Sequence, residues 1–292
     1  MPLKRKLKKF VIVLCSLLLE ALWPILLLLG QKTVRKLVAL VLALTKKGKS
    51  GLGQPVIFVA IPRSASKTIA LRLSKKLGTH VEMVGLRGGS GYFPFNMLIS
   101  RGRLLFSVLT GRVAHDHLYC DERTINAVSL LSGQIFVHVR DPRAVLASLT
   151  KHVVISRGRL SVFGIEESHI DHTKPLQNYD YMIKTFFPVL LDWVQSWVDC
   201  KKADSSQLDV RFLHYENFVN SEEVYFDELL ENIGLDRSSN TQATINKHFL
   251  GGDSDEWQSN FTDRQLEDMD EMLDDGMAAY FGWPVNKEKH LK

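Results

Sequence analysis

The stretch that most constrains this chain runs from Val56 to Arg72, VIFVAIPRSASKTIALR. Its first half is a short apolar run, rich in β-branched residues, that ends at Pro62 and predicts a buried strand. Small and cationic residues follow and pass directly into a helical pattern. A turn between a strand and a helix start directs free backbone N–H groups and the positive end of the helix dipole at one point. This stretch therefore predicts an anion-binding loop.

Apolar runs and helical patterns go on alternating after this loop. The patterns predict further strands at residues 79–84, 113–119, 134–140 and 210–215. They predict helices at residues 69–77, 122–131, 183–202 and 222–233, and a helix start after Asp141-Pro142. The stretch 153–181 has little periodicity, and we expect a loop with short helical turns there. Such alternation is typical of an α/β fold, a parallel sheet with helices on both faces.

The charge of the chain is divided unevenly along its length. The first fifty residues hold eleven Lys or Arg and one acid, Glu20, a net charge of +10 in a chain whose total is +5. The remainder is therefore acidic. A basic segment attached to an acidic body favours anionic lipid as a partner and argues against nucleic acid.

The N-terminal segment has the properties of a membrane anchor. Phe10 to Gly30 is long and apolar enough to cross a bilayer, although Glu20 and Pro24 interrupt it. Val34 to Leu44 reads as a basic interfacial helix. One alternative is a single membrane pass, with the body on the far side. The other is a re-entrant or in-plane anchor, with the body on the same side as the N-terminus.

Basic residues flank the apolar stretch on both sides, so the positive-inside signal is nearly cancelled. The balanced charge and the bend expected at Pro24 favour the re-entrant or in-plane anchor, with the catalytic face toward the cytosol rather than a Golgi-type lumen. A buried core helix is a third, less favoured interpretation. We divide the chain into an anchor and linker at residues 1–50 and a catalytic domain at residues 51–292.

The sequence does not favour a metal site. Cys15, Cys120 and Cys200 lack metal-ligand spacing, and reduced buried thiols are favoured over a disulfide between the last two. His115 and His117 would share one face of a strand, but no third ligand lies at a useful spacing. We therefore predict that the protein needs no metal.

Four cationic residues lie at the carboxyl ends of two predicted strands: Arg63 and Lys67 after the first, and Arg140 at the end of the strand at 134–140 with Arg143 just beyond it. In an open α/β sheet, ligands bind outside the carboxyl ends of the strands. Two cationic turns at that edge suit a ligand with two separated anionic groups. Arg140 and Ser148 lie at a strand end and in the second turn of the next helix, where they can grip one phosphate together.

These motifs resemble those of sulfotransferases that use 3′-phosphoadenosine 5′-phosphosulfate (PAPS). PRSASKT is similar to the 5′-phosphosulfate loop of the family, and VRDPRAVLAS is similar to its 3′-phosphate motif. RVAHDHL resembles the segment that ends in the catalytic His-Leu pair. FLHYENF resembles the Tyr-Glu strand end, and GGDSDEWQSNFT resembles the C-terminal loop that closes over the cofactor. The matches occur in family order between Pro55 and about Pro284.

The resemblance implies a P-loop-type sulfotransferase domain with PAPS as co-substrate. Arg63 would contact the transferred sulfuryl group, and His117 would act as the catalytic base for a hydroxyl or amine acceptor. Arg140 and Ser148 would bind the 3′-phosphate. The loop would hold the 5′-phosphate through Arg63, Ser64, Ala65, Ser66, Lys67 and Thr68. Ala65 stands where the family usually has glycine, and Lys67 where it usually has Ser or Thr.

Two other functions remain open. A P-loop kinase or NTPase is suggested by Ser66-Lys67-Thr68 before a helix, but the glycines of G-x-x-x-x-G-K-[ST] are missing. Asp141 is the one evident strand-end carboxylate for Mg²⁺. A non-catalytic, membrane-tethered PAPS-binding module is suggested by the departures at Ala65 and at His115, where cytosolic members often carry lysine. The acceptor, whether small molecule, glycan or lipid-linked, and the oligomeric state are left open.

Overall fold

A computed structural model describes residues 17–45, 55–86, 97–155, 160, 165–171, 173, 175–203, 208–235 and 257–285. Five strands form its sheet. They are β1 (Val56–Ala60), β2 (Val81–Met83), β3 (Val113–Asp116), β4 (Gln134–Val139) and β5 (Asp209–His214). All four pairings are parallel, and the strand order is β2-β3-β1-β4-β5. The predicted α/β class with a parallel sheet is confirmed.

Helices occupy the described chain before, between and after the strands. In the N-terminal half these are α1 (Trp23–Leu29), α2 (Gln31–Thr45), α3 (Ser66–Lys76), α4 (Arg101–Leu109), α5 (Glu122–Leu131) and α6 (Pro142–Ile155). In the C-terminal half these are α7 (Pro175–Lys202), α8 (Tyr215–Asn220), α9 (Glu222–Asn232), α10 (Asp263–Met272) and α11 (Asp275–Phe281). Short 3₁₀ turns lie at Glu167–His169 and Gln258–Asn260.

The sheet is buried on both faces, and the alternation of side chains along β1 shows it. Ile57 and Val59 belong to one apolar core, while Val56 and Phe58 belong to a second core on the opposite face. A strand buried on both faces has no polar side to alternate with, which is why these strands read as continuous apolar runs.

The helices that follow β1 and β4 lie on opposite faces of the sheet. Ile69 and Leu73 of α3 pack in the core around Phe58, whereas Val145 and Leu149 of α6 pack in the core around Val59. Because β1 and β4 are neighbours, their two loops diverge and leave a crevice at the carboxyl edge of the sheet. This is the switch point at which open α/β sheets bind their ligands.

The helix predicted at 69–77 begins three residues earlier, at Ser66, and the loop predicted at 153–181 is helical at both ends, up to Ile155 and again from Pro175. The helix expected from Ile183 begins at Pro175, because its first turn is held by a side-chain clasp and not by apolar periodicity. The Asn178 amide nitrogen donates to the carbonyl of Asp171 and its oxygen accepts from the Asp171 amide, both at 2.9 Å. Trp193 and Trp197 on this helix are fully buried core residues.

The described part of the N-terminal segment packs against the body. Trp23 and Val34 are buried in the core, and the Glu20 carboxylate accepts from the Gly102 amide at 2.6 Å and pairs with Arg123 at 3.0 Å. Arg35 donates to the Ser129 carbonyl. None of the described helices is long and apolar enough for a membrane span. Residues 1–16 and 46–50 of the predicted anchor and linker lie outside the described residues.

Candidate active site

The predicted anion loop is a strand-to-helix turn with two left-handed residues. Arg63 and Ala65 have φ angles of 64° and 59°. The amides of Thr68 and Ile69 are the first to bond back to the loop, both to the Ala65 carbonyl. The amides at 65–67 have no acceptor among the residues that the structure describes. They form the set of free donors at a helix start that binds an anion.

The backbone at Ala65 is left-handed. This conformation explains why the similar 5′-phosphosulfate loop of sulfotransferases usually has glycine at this position. The left-handed conformation costs a residue with a Cβ about 1–2 kcal/mol relative to glycine. A glycine substitution recovers only part of this energy, because glycine also raises the conformational entropy of the unfolded chain. We expect Ala65→Gly to raise the free energy of unfolding by up to about 1 kcal/mol. Chemical denaturation measures this change, and a loss of stability would show that the Ala65 methyl makes packing contacts that outweigh the strain.

A buried histidine of β4, His138, holds the backbone of the anion loop. The His138 Nε2–H donates to the Ser64 carbonyl at 2.9 Å, and its Nδ1 accepts from the Tyr225 hydroxyl at 2.8 Å. The hydroxyl of Ser64 donates to the Ile61 carbonyl at 2.6 Å, and this residue is fully buried. The Ser64 side chain therefore braces the loop internally and does not face a ligand, while Arg63 and Lys67 are exposed. Sequence reasoning missed His138, whose only signal was a polar residue inside an apolar strand.

The structure brings Arg63, Arg140 and Ser148 together. Arg140 Nη1 donates to the Arg63 carbonyl at 3.0 Å, and its guanidinium lies 4.1 Å from the ring centre of Tyr215. Arg63 Nε donates to the Ser148 Oγ at 3.3 Å. The β4 end, the first turns of α6 and the anion loop thus meet at one place, the crevice beside the switch point.

Neither guanidinium at the crevice forms a salt bridge within the part of the chain that the structure describes. Burial and the charge of Arg140 lower the pKa of Arg63, and burial lowers the pKa of Arg140, which is 8% exposed. A buried guanidinium and an exposed one, held close together without an ion pair to a carboxylate of the described residues, suit an anionic ligand.

Arg143 does not join this cationic group, contrary to the sequence prediction. Its guanidinium donates to both Asp141 oxygens, at 3.0 and 2.7 Å, and to the Asp270 carboxylate. It also donates to the Pro284 carbonyl at 2.6 Å and lies over the Trp257 ring. Arg143 therefore fastens the C-terminal helices to α6, and a local sequence pattern cannot reveal a partner 127 residues away.

The two histidines of the β3 region bond to β1 in the same manner, as expected for residues on one face. His115 Nδ1 donates to the Phe58 carbonyl at 3.0 Å, and His117 Nδ1 donates to the Ala60 carbonyl at 2.7 Å. Bonding through Nδ1–H leaves Nε2 as the basic nitrogen of each neutral ring. His115 is buried, whereas His117 lies half-buried at the carboxyl edge, one residue beyond the strand.

Asp116 has a structural role between the two histidines. Its carboxylate accepts from the Gly85 amide at 2.8 Å and from the His117 amide at 3.1 Å. A Cβ at Gly85 would lie 2.8 Å from an Asp116 oxygen, so only glycine fits there without a shift. The carboxylate thereby holds the strand end that carries His117.

The buried histidines make stability depend on pH. Burial lowers the pKa of His138 to about 3 and that of His115 to about 4, below the ordinary value of 6.5. The unfolded chain therefore binds more protons below pH 6.5, and stability falls from there toward about pH 3. Each histidine contributes at most about 1.4 kcal/mol per pH unit. Urea unfolding at several pH values measures how steeply the free energy of unfolding changes with pH. His115→Asn should make this dependence less steep, and an unchanged dependence would contradict the lowered pKa of His115.

Several predicted features fall partly or wholly outside the described residues. The loop predicted to close over the cofactor, GGDSDEWQSNFT, is described only from Trp257 onward, and the Trp257 ring lies against the Arg143 guanidinium.

Cys120 and Cys200 are both buried and form no disulfide. In the described ranges, no group of three His, Cys, Asp or Glu side chains is arranged to hold a metal ion.

No protein-family model matches the chain, and no curated protein matches it. Solved structures with a similar fold include mouse sulfotransferase SULT7A1 complexed with PAP, at a TM-score of 0.47 and 15% identity over 84% of this chain and 92% of that one. They also include the sulfotransferase domain from the curacin biosynthetic pathway, at a TM-score of 0.42 and 13% identity over 80% of this chain and 99% of that one. Both of these structural neighbours are sulfotransferases.

Proposed function

We propose that the protein is a PAPS-dependent sulfotransferase that transfers a sulfuryl group to a hydroxyl or amine acceptor. The observation that carries the proposal is the crevice between β1 and β4. Free loop amides, Arg63, Arg140 and Ser148 converge there, and His117 lies at the same sheet edge, bonded to the last residue of β1. A ligand with separated phosphate groups and a transferable sulfuryl group satisfies each of these features.

Each residue has a distinct role in this proposal. The amides at 65–67, with Ser66, Lys67 and Thr68, would hold the 5′-phosphate, and Arg140 with Ser148 would hold the 3′-phosphate. Arg63 would stabilise negative charge on the sulfuryl group in transfer. His117 would accept the acceptor proton at Nε2, while its Nδ1–H bond to the Ala60 carbonyl keeps the tautomer and ring orientation fixed.

The reaction is an in-line displacement that needs little covalent chemistry from the protein. PAPS supplies the sulfuryl group, whose bond to the phosphate oxygen breaks as a bond to the acceptor oxygen or nitrogen forms. The acceptor proton passes to His117, and the adenosine bisphosphate leaves with the electron pair. Positioning and positive charge account for most of the catalysis in such transfers.

The kinase or NTPase alternative is disfavoured by the partners of two carboxylates at strand ends, Asp141 and Asp116. Both oxygens of Asp141 accept from Arg143, and the oxygens of Asp116 accept from two backbone amides. A carboxylate that binds Mg²⁺ for nucleotide hydrolysis needs oxygens directed at the ligand. Magnesium-dependent ATP hydrolysis by the purified chain would favour this alternative over ours.

Calorimetric titration with 3′-phosphoadenosine 5′-phosphate (PAP) and with 5′-AMP tests the ligand assignment. The two differ only in the 3′-phosphate, so we expect PAP to bind at least about tenfold more tightly, since a charge-assisted hydrogen bond contributes about 1.5–3 kcal/mol. Equal affinities would contradict the site at Arg140 and Ser148. Selective PAP binding without transfer to any acceptor would support the non-catalytic module instead.

A further inference from the structure

The N-terminal helices carry an exposed apolar surface, which we call the leucine face. Of the fifteen large apolar side chains that are exposed in the described chain, nine lie between residues 17 and 40. They are Leu17, Leu18, Leu22, Ile25, Leu27, Leu28, Leu29, Leu37 and Leu40. Leu28 is 87% exposed. Clustered exposure of this kind marks an interaction surface, whereas single exposed leucines need no explanation.

The opposite side of the same segment is fixed to the body. Trp23 is 2% exposed and lies beneath the Arg101 guanidinium, and Val38 is buried in the core. Glu20 is bonded to the start of α4 and to α5, and Arg35 is bonded to α5. The leucine face is therefore held in a constant orientation relative to the sheet.

Positive charge borders the leucine face. Lys32 and Lys36 are exposed one turn apart on α2, on the side of the helix next to Leu37 and Leu40. The single acid among the first fifty residues, Glu20, is already paired with Arg123. Leucines bordered by lysines are characteristic of helices that lie in a membrane interface, where the apolar side chains enter the acyl region and the lysines contact anionic headgroups.

We propose that residues 17–40, which include α1 and most of α2, form an in-plane platform that binds the surface of a bilayer containing anionic lipid. A crossing by Phe10 to Gly30 would have to break the bonds of Glu20 to the body and extract Trp23 from the core. A second copy of the chain is a poorer occupant, because a two-fold contact through this face would bring its lysines together. This proposal goes beyond the sulfotransferase assignment and does not depend on it.

Vesicle co-sedimentation of the full chain tests the platform. We expect vesicles with about one third phosphatidylserine to bind it at least about tenfold more tightly than phosphatidylcholine alone, because each lysine near the surface contributes about 1 kcal/mol. Leu22→Ser/Ile25→Ser/Leu28→Ser should weaken this binding by at least about tenfold. The matched control, Leu71→Ser/Leu98→Ser, changes exposed leucines of the body and should bind as the wild type does.

Two further measurements distinguish a bilayer from a second copy of the chain, and an in-plane segment from one that crosses the membrane. Thermal unfolding should be similar for both variants, since the altered side chains are exposed. A membrane-impermeant amine reagent added outside the vesicles should modify both Lys4–Lys9 and Lys46–Lys49 in an in-plane anchor; protection of one cluster would overturn this arrangement. Absence of vesicle binding, equal binding by the triple variant, or a wild-type dimer that the triple variant dissociates would each overturn the platform.

Discussion

Replacing His117 by asparagine should lower kcat by about 10²–10⁴-fold while leaving PAP affinity nearly unchanged, the range expected for loss of a general base. The asparagine amide has a nitrogen near the position of Nδ1 and keeps a donor for the Ala60 carbonyl, so the contact to β1 is preserved. No basic nitrogen remains to accept the acceptor proton. Steady-state rates of sulfuryl transfer and calorimetric titration with PAP together measure the two effects.

His115 provides a matched control for this substitution. It makes the same Nδ1 bond, to Phe58, on the same face, but it is buried and lies two residues before the edge. His115→Asn should therefore retain most of the wild-type kcat. Equal losses in both variants would show that the effect comes from disturbance of β3, and the general-base role of His117 would then be contradicted.

The second large effect is expected at Arg140. Arg140→Ala removes a guanidinium that holds the Arg63 carbonyl and would bind the 3′-phosphate. We expect the PAP affinity to fall by about 10²-fold, because one or two charge-assisted bonds of about 1.5–3 kcal/mol are lost. The affinity for 5′-AMP should change much less, and competition titration of both nucleotides measures the difference.

Two variants keep the Arg140 result interpretable. Arg140→Lys retains the charge but loses the planar fork, so it should recover only part of the affinity. Arg211→Ala removes the same charge from β5, where Arg211 pairs with Asp209, and should leave PAP binding as in the wild type. Equal losses of PAP and 5′-AMP affinity in Arg140→Ala would contradict the 3′-phosphate role.

The elements that sequence reasoning predicted well depend on local patterns. The strand at Val56, the loop that follows it and the shared face of His115 and His117 follow from side-chain periodicity and turn chemistry over a few residues. The juxtaposition of Arg140 with the anion loop followed from one topological rule, that parallel strands end at the same edge of the sheet.

The features that sequence reasoning missed depend on partners far apart in the chain. Arg143 looked like a ligand cation, yet its partners are Asp141 and a carboxylate 127 residues away. His138 is positioned by Tyr225, 87 residues further on. Glu20 interrupted an apolar stretch for no local reason, and its partner Gly102 lies 82 residues away. Long-range polar pairs of this kind leave no periodicity in the sequence.

Transfer of radiolabelled sulfuryl from PAPS tests the central claim most directly. The purified full chain, incubated with membrane extracts or pools of small hydroxyl and amine compounds, should label an organic product without added divalent metal. His117→Asn should label none above background, and His115→Asn should behave like the wild type. If the wild-type chain binds PAP but moves no label to any acceptor, the sulfotransferase assignment is contradicted.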